Sequence, residues 1–103
     1  MAQQIEPKEL KEGDLILDLR CPTEYEAAHL GLGHIWIPLE QLNPVQFLKE
    51  NLVLKETPLY LLCRSGNRAE QAAEQFEHAG HPNVFVIRGG ILNAINQRLN
   101  VIS

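Results

Sequence analysis

Apolar runs of strand length alternate with helix-like patterns along the whole chain. The runs are rich in Leu, Ile and Val, as in strands covered on both faces, and they lie at 15–19, 35–37, 58–62 and 84–87. A short edge strand near Ile5 and one helical turn over 7–11 come before them. This alternation predicts an α/β fold, with a mainly parallel central sheet and helices on both faces, in a single domain over residues 1–103.

The spacing of apolar residues predicts which face of each helix is buried. In the helix opened by Asn43-Pro44, the residues expected to point inward are Val45, Phe47, Leu48 and Leu52. In the helix near the centre of the chain they are Ala69, Ala72, Ala73, Phe76 and Ala79. In the last helix, after Gly89-Gly90, they are Ile91, Leu92, Ile95 and Leu99. A first helix is expected from Pro22 to about Ala28, followed by a glycine-containing loop over 29–33.

The central helix carries sequence signals at both of its ends. Asn67 is a good N-cap residue, and Glu70 stands three positions later, as in a capping box. Gly80 predicts a left-handed C-terminal stop, and Pro82 keeps the helix from resuming. The start of this helix therefore lies directly after the loop that follows the strand at 58–62.

That loop places a thiol at the positive end of a helix. The first backbone N–H groups of a helix have no intrahelical partners and the helix dipole adds to them, so a loop curled over this end can hold an anion. Gly66 permits the necessary backbone angles. Cys63, flanked by Arg64 and Arg68, is expected to ionise below the free thiol value of about 8.5 and to act as a nucleophile. The alternative is a buried structural cysteine at a strand end.

Polar residues follow three of the predicted strands, and parallel sheets place such strand ends at one edge. We expect Asp18-Leu19-Arg20, the loop 63–68 and Arg88-Gly89-Gly90 to converge there. Asp18 and Arg20 are expected to form an ion pair that braces the loop rather than to touch substrate. Cys21 is interpreted as a packed or capping cysteine, and His29 as a structural hydrogen-bonding residue.

Composition and charge exclude several classes of function. The net charge of −4 and the absence of a basic stripe argue against nucleic acid as a partner. No apolar run approaches the roughly 18 residues that a membrane span needs, and residues 1–6 do not resemble a secretory signal. Two cysteines in different contexts make neither a disulfide framework nor a zinc site, which favours a reducing cytoplasm. We expect a monomer.

Five segments in this order resemble those of the single-domain rhodanese-like sulfurtransferases. They are the segment 18–25 with its Asp-x-Arg and Glu-Tyr, His29, Ile37-Pro38-Leu39, the loop 63–69, and Gly89-Gly90. The resemblance implies that Cys63 takes a sulfane sulfur from thiosulfate or a related donor and carries it as a persulfide to cyanide or a thiol acceptor. It also implies that the anionic substrate is bound by the remaining loop residues, Arg64, Ser65, Gly66, Asn67 and Arg68. No metal or organic cofactor is expected.

Two other functions remain open for a chain with this loop. Rhodanese-like modules also serve as regulatory domains or deliver sulfur to a protein partner, although modules without activity commonly lack the cysteine. Phosphatases and arsenate reductases use a similar loop. The tyrosine-phosphatase type, however, has one residue more between its Cys and Arg than the four between Cys63 and Arg68. The shorter loop favours a sulfur atom over a phosphoryl group.

Overall fold

The structure, a computed structural model, describes residues 2–103; Met1, where the stretch 1–6 begins, lies outside the described residues. Within residues 2–103 there are seven strands: β1 Gln3–Ile5, β2 Leu15–Asp18, β3 His29–Leu30, β4 Ile35–Trp36, β5 Leu59–Leu62, β6 Val84–Ile87 and β7 Val101–Ile102. Five of them make one sheet in the order β1-β6-β5-β2-β4, and every pairing in it is parallel. The predicted parallel sheet is confirmed, with β1 at its edge.

In the described part of the chain, four α-helices cover the two faces of this sheet. They are α1 Pro22–Ala27, α2 Pro44–Glu50, α3 Asn67–His78 and α4 Gly90–Asn96, with single 3₁₀ turns at Pro7–Glu9 and Leu39–Gln41. One apolar core joins the sheet to α2 and α3 through Phe47 and Phe76. A second core joins the other face to α4 through Ile91 and Ala94. Helices therefore lie on both faces, as the alternating pattern predicted.

The register of the strands brings three strand ends to one edge of the sheet. Asp18 pairs with Leu62 across β2 and β5, and Leu61 pairs with Val86 across β5 and β6. Beyond the strands the contact continues, since the Leu19 N–H donates to the Leu62 carbonyl at 2.8 Å. The segments that follow β2, β5 and β6 are consequently neighbours, as expected from the sequence.

The buried face of α3 agrees with its prediction except at Ala79, which is the C-cap and only half-buried, and those of α2 and α4 agree only in part. Ala69, Ala72, Ala73 and Phe76 are buried in α3. In α4, Leu92 is 47% and Ile95 50% exposed, against the prediction that both point inward. In α2, Val45 is 50% exposed, and Leu52 lies beyond the end of the helix with a left-handed φ of 51°. Both helices have only seven residues, so each buries fewer side chains against the core than the apolar pattern predicted.

A small second sheet replaces part of the loop predicted over 29–33. β3 pairs antiparallel with β7, with His29 opposite Ile102 and Leu30 opposite Val101. The Gly31 N–H extends the contact by donating to the Asn100 carbonyl at 2.8 Å. The C-terminal residues are thus fixed against the end of α1. Among the helices of residues 2–103, none has the length and apolar character needed to cross a membrane.

Candidate active site

The Cys63 side chain lies where β5 ends, beneath the loop that leads into α3. It is only 1% exposed, whereas Arg64, Ser65 and Asn67 are exposed. The Gly66 N–H donates a hydrogen bond to the Cys63 Sγ at 2.9 Å. The thiol is buried, as in a structural cysteine, but the loop also directs a backbone donor at its sulfur, as an anion-binding loop requires.

Gly66, not Asn67, is the N-cap of α3. Gly66 has a φ of +117°, a left-handed conformation that favours glycine, and its carbonyl accepts the Glu70 N–H at 3.1 Å. Asn67 is the first helical residue, so the predicted capping box of Asn67 with Glu70 is wrong. The predicted need for glycine at position 66 is confirmed. The loop is therefore one residue shorter before the helix than the capping signal suggested.

The Arg68 guanidinium forms a bidentate ion pair with the Glu24 carboxylate. Arg68 Nη1 lies 2.7 Å from Glu24 Oε1, and Nη2 lies 2.9 Å from Oε2. These bonds lower the pKa of Glu24 to about 2, against the opposing effect of partial burial, and raise the pKa of Arg68. The thiols of Cys63 and Cys21 add smaller contributions that raise the pKa of Arg68. The arginine predicted to bind substrate thus ties α3 to α1.

Asp18 and Arg20 form the ion pair predicted from the sequence, and both are buried. Arg20 Nη2 lies 2.9 Å from Asp18 Oδ2, and Nε and the backbone N–H of Arg20 also donate to this carboxylate. The remaining guanidinium hydrogens reach the carbonyls of Glu24 at 3.2 Å and Ala28 at 2.7 Å. The pair therefore fixes the C-terminal half of α1, and through it the position of Glu24.

Cys21 and His29 have the structural roles predicted for them. Cys21 is the N-cap of α1, and its N–H donates to Glu24 Oε1 at 3.2 Å. His29 Nδ1 is 3.2 Å from the Tyr25 carbonyl, and its ring stacks on the Tyr25 ring at a centroid distance of 4.6 Å. Trp36 stacks on the opposite face of Tyr25 at 4.3 Å, so the aromatic residues stabilise α1 from the sheet side.

Gly90, the first residue of α4, lies directly against the backbone of the cysteine loop. The Ile91 N–H donates to the Cys63 carbonyl at 2.9 Å, and the Leu92 N–H to the Arg64 carbonyl at 3.4 Å. A Cβ on Gly90 would collide with both carbonyl oxygens, and its φ of +63° is left-handed. The double glycine thus allows α4 to begin against the cysteine loop. Sequence reasoning placed this segment at the edge but did not predict the contact.

Glu24 was not predicted as part of the site. It is separated from Arg68 by 44 residues, so no local spacing pattern connects the two. The only signal available was its position in the segment 18–25, which follows β2 and must pass the same edge of the sheet as the loop. Opposite charge on two segments that meet at one edge is a weak but usable indication of an ion pair.

Comparison with known proteins identifies the family of this fold and loop. The family model Rhodanese-like domain matches residues 3–96, and the chain belongs to that family. A crystal structure of a rhodanese-related protein from Thermoplasma volcanium has a TM-score of 0.77 and 25% sequence identity, with 97% of each chain covered.

Two curated relatives are larger proteins. The chain is 30% identical over 87 residues to the adenylyltransferase and sulfurtransferase uba4 of Ogataea parapolymorpha, covering 84% of this chain and 21% of that protein. It is 36% identical over 80 residues to the tRNA uridine(34) hydroxylase of Pelagibacter ubique, covering 77% of this chain and 26% of that protein. The chain thus spans about a fifth to a quarter of the length of these relatives. Membership of the family indicates sulfurtransferase-type chemistry.

Proposed function

We propose that this protein is a sulfurtransferase that carries a sulfane sulfur as a persulfide on Cys63. The observation that supports this most directly is the Gly66 N–H donated to the Cys63 Sγ at 2.9 Å, in a loop at the start of a twelve-residue helix. A donor placed at the sulfur stabilises its anion and remains available to the terminal sulfur of a persulfide. The name of the uba4 relative includes sulfurtransferase, which is consistent with this chemistry.

The first half-reaction transfers one sulfur atom from an anionic donor such as thiosulfate. The Cys63 thiolate attacks the outer sulfur, a new S–S bond forms, and the S–S bond of the donor breaks with its electron pair leaving on sulfite. In the second half-reaction, cyanide or a thiolate attacks the outer sulfur of the persulfide. Thiocyanate or a new persulfide leaves, and the Cys63 thiolate is regenerated.

The two arginines of the loop are assigned different roles in this proposal. The guanidinium of Arg64 is exposed and has no hydrogen bond or ion pair with any residue in 2–103, so it is free to meet the charge of the donor. Arg68 contributes positive charge close to the thiol, but the Glu24 carboxylate compensates part of it. Ser65 and Asn67 are exposed at the mouth of the loop, where a donor would pass.

A second candidate function is delivery of the sulfur to a protein acceptor. It is favoured by the size of the curated relatives, of which this chain spans only a fifth to a quarter. Both functions share the first half-reaction and differ only in the acceptor. Persulfide formation without turnover on cyanide or small thiols would support delivery to a protein.

Steady-state turnover of thiosulfate with cyanide tests the proposal. We expect parallel double-reciprocal plots, because the two half-reactions share one covalent intermediate. Cys63→Ser should abolish turnover, and Cys21→Ser should retain it, because Cys21 only caps α1. Turnover by Cys63→Ser near the wild-type rate would contradict the assignment of the nucleophile. Hydrolysis of an aryl phosphate by the wild type, without sulfur transfer, would instead favour the phosphatase alternative.

A further inference from the structure

The helix α1, which carries Glu24, depends on contacts at its ends. It has six residues and none of them is buried, and a helix of this length is marginal without tertiary contacts. Its Tyr25 is half-buried between the rings of Trp36 and His29. His29 lies outside the helix, in β3, so the position of α1 depends on what holds the strand that follows it.

That strand is held by the C-terminal strand β7. In the described part of the chain, β3 pairs with β7 and with no other strand. His29 lies opposite Ile102, and the Gly31 N–H donates to the Asn100 carbonyl at 2.8 Å. Hydrogen-bonded pairs alternate along an antiparallel ladder, so His29 and Ile102 form the next hydrogen-bonded pair. The Ile102 N–H is therefore one of the donors that fix β3.

β7 is itself fixed to the core of the molecule. Val101 packs against the apolar cluster that contains Ile91 and Ala94 of α4. Its partner in β3, Leu30, is buried in the same cluster. The end of α1 is thus connected to the core through the pairing of these two short strands.

Hydrogen bonds connect the end of α1 to the cysteine loop. The Ala28 carbonyl, directly before β3, accepts Arg20 Nη2 at 2.7 Å, and the Ala28 N–H donates to the Glu24 carbonyl at 3.3 Å. The Glu24 carboxylate in turn accepts both Nη atoms of Arg68. Arg68 is the second residue of α3, five positions after Cys63. A displacement of β3 would therefore move Glu24 and the residue that it holds beside the loop.

We propose that β7 positions the cysteine loop for sulfur transfer: by pairing with β3, it holds α1 so that the Glu24 carboxylate keeps Arg68 at the loop. The inference rests on the proposed persulfide function and adds Ile102 to it as a positioning residue. Ile102 acts through Glu24 and Arg68, and maintains the geometry in which the Gly66 N–H meets the Cys63 sulfur. Small displacements at a reacting centre lower a rate strongly, so release of α1 slows the transfer.

Ile102→Pro tests this role, because proline removes the backbone N–H that pairs with β3. The rate constant for persulfide formation on Cys63 is measured with saturating thiosulfate, well below the midpoint of thermal unfolding of each variant. We expect Ile102→Pro to lower this rate constant about tenfold. Ile102→Thr is the matched control, since threonine keeps the N–H and a β-branched side chain at a position that is 47% exposed. It should retain the wild-type rate.

A double-mutant cycle with Glu24→Gln distinguishes positioning from a general loss of stability. If Ile102 acts through Glu24, the double variant should be about as slow as the slower single variant, rather than slower by the product of both factors. Amide hydrogen exchange provides a second measurement. In Ile102→Pro it should become faster in α1 and stay unchanged in β5, at the centre of the sheet.

Val101→Ser replaces Ile102→Pro in all these measurements if the proline variant does not fold, because it weakens the contact of β7 with the core and keeps the backbone N–H groups. An unchanged rate of persulfide formation overturns the inference, whether or not α1 exchanges faster. Effects that multiply in the double variant overturn it as well. Absence of a persulfide in the wild type would instead contradict the proposed function itself.

Discussion

At the scale of single residues, the Glu24 carboxylate connects two parts of the site that are 44 residues apart in the sequence. It accepts hydrogen bonds from both Nη atoms of Arg68 and from the backbone N–H of Cys21. Both side chains of the ion pair remain partly exposed, at 25% for Glu24 and 30% for Arg68. Solvent therefore weakens the pair, and its contribution to stability is expected to be about 1 kcal/mol.

The pH dependence of stability follows from the lowered pKa of Glu24. Its pKa is about 2 in the folded protein, against 4.5 for an ordinary glutamate, so folding favours the ionised form. The stability that ionised Glu24 contributes is therefore complete above pH 4.5 and is lost as the pH falls towards 2. We expect Glu24→Gln to lower the free energy of unfolding by about 1 kcal/mol at neutral pH. The difference from the wild type should narrow through this range of pH.

Urea unfolding at neutral pH and at several acidic values measures this difference. Glu74→Gln is the control, since Glu74 is exposed on α3 and makes no ion pair within residues 2–103. The control should differ little from the wild type at any pH. If the free energy of unfolding of Glu24→Gln stayed below that of the wild type by a constant amount down to the lowest pH, ionisation of Glu24 would not be what stabilises the fold.

At the scale of secondary-structure elements, the start of α4 determines how closely the second face of the sheet approaches the cysteine loop. Gly90 is left-handed and lies against two carbonyl oxygens, whereas Gly80, after α3, is left-handed with no atom within 4 Å of the position of a Cβ. Alanine substitutions at the two glycines therefore separate the free-energy cost of a left-handed backbone from the cost of a steric collision of the added Cβ.

Gly80→Ala should destabilise the protein by about 1 kcal/mol, through the left-handed backbone alone. Gly90→Ala carries the same cost plus that of displacing the loop, for a total of about 3 kcal/mol. It should also lower kcat/KM for sulfur transfer by about tenfold or more, because Cys63, the proposed nucleophile, moves. Thermal unfolding and steady-state kinetics of both variants provide the measurement. If Gly80→Ala and Gly90→Ala lowered the stability by the same amount and kcat/KM by the same factor, the close contact at Gly90 would be contradicted.

The elements also show how much of the fold the sequence can predict. The inner face of α3 was predicted because three alanines and a phenylalanine repeat at helical spacing over twelve residues. The exposure of Leu92 and Ile95 was not, since a seven-residue helix gives no periodicity that separates a packed apolar residue from an exposed one. The pairing of β3 with β7 depends on residues more than seventy positions apart, which no local pattern reports.

The candidate site was predictable to a similar extent. The position of Cys63 after a buried strand and before a helix is a local property, and so is the need for Gly66. Asn67 and Gly66 are both acceptable N-cap residues, and the tertiary position of the loop decides between them. The pairing of Arg68 with Glu24 and the contact of Gly90 with the loop both arise from the meeting of distant segments.

At the scale of the whole molecule, the parallel sheet brings three separate segments to one edge. The buried Asp18–Arg20 pair holds α1 on one side of the loop, α3 begins at the loop, and α4 begins against its carbonyls. The Cys63 sulfur is thus enclosed by the fold while the polar residues of its loop remain in contact with solvent. This arrangement suits a sulfur that is loaded and unloaded through the mouth of one small loop.

Intact mass spectrometry after mixing the protein with thiosulfate tests this account most directly. We predict one additional sulfur atom, located on Cys63 by fragmentation and lost again when cyanide is added. Cys63→Ser should gain none, and Cys21→Ser should gain one as the wild type does. A wild-type protein that gains no sulfur from thiosulfate, or that gains it on Cys21, would contradict the persulfide assignment.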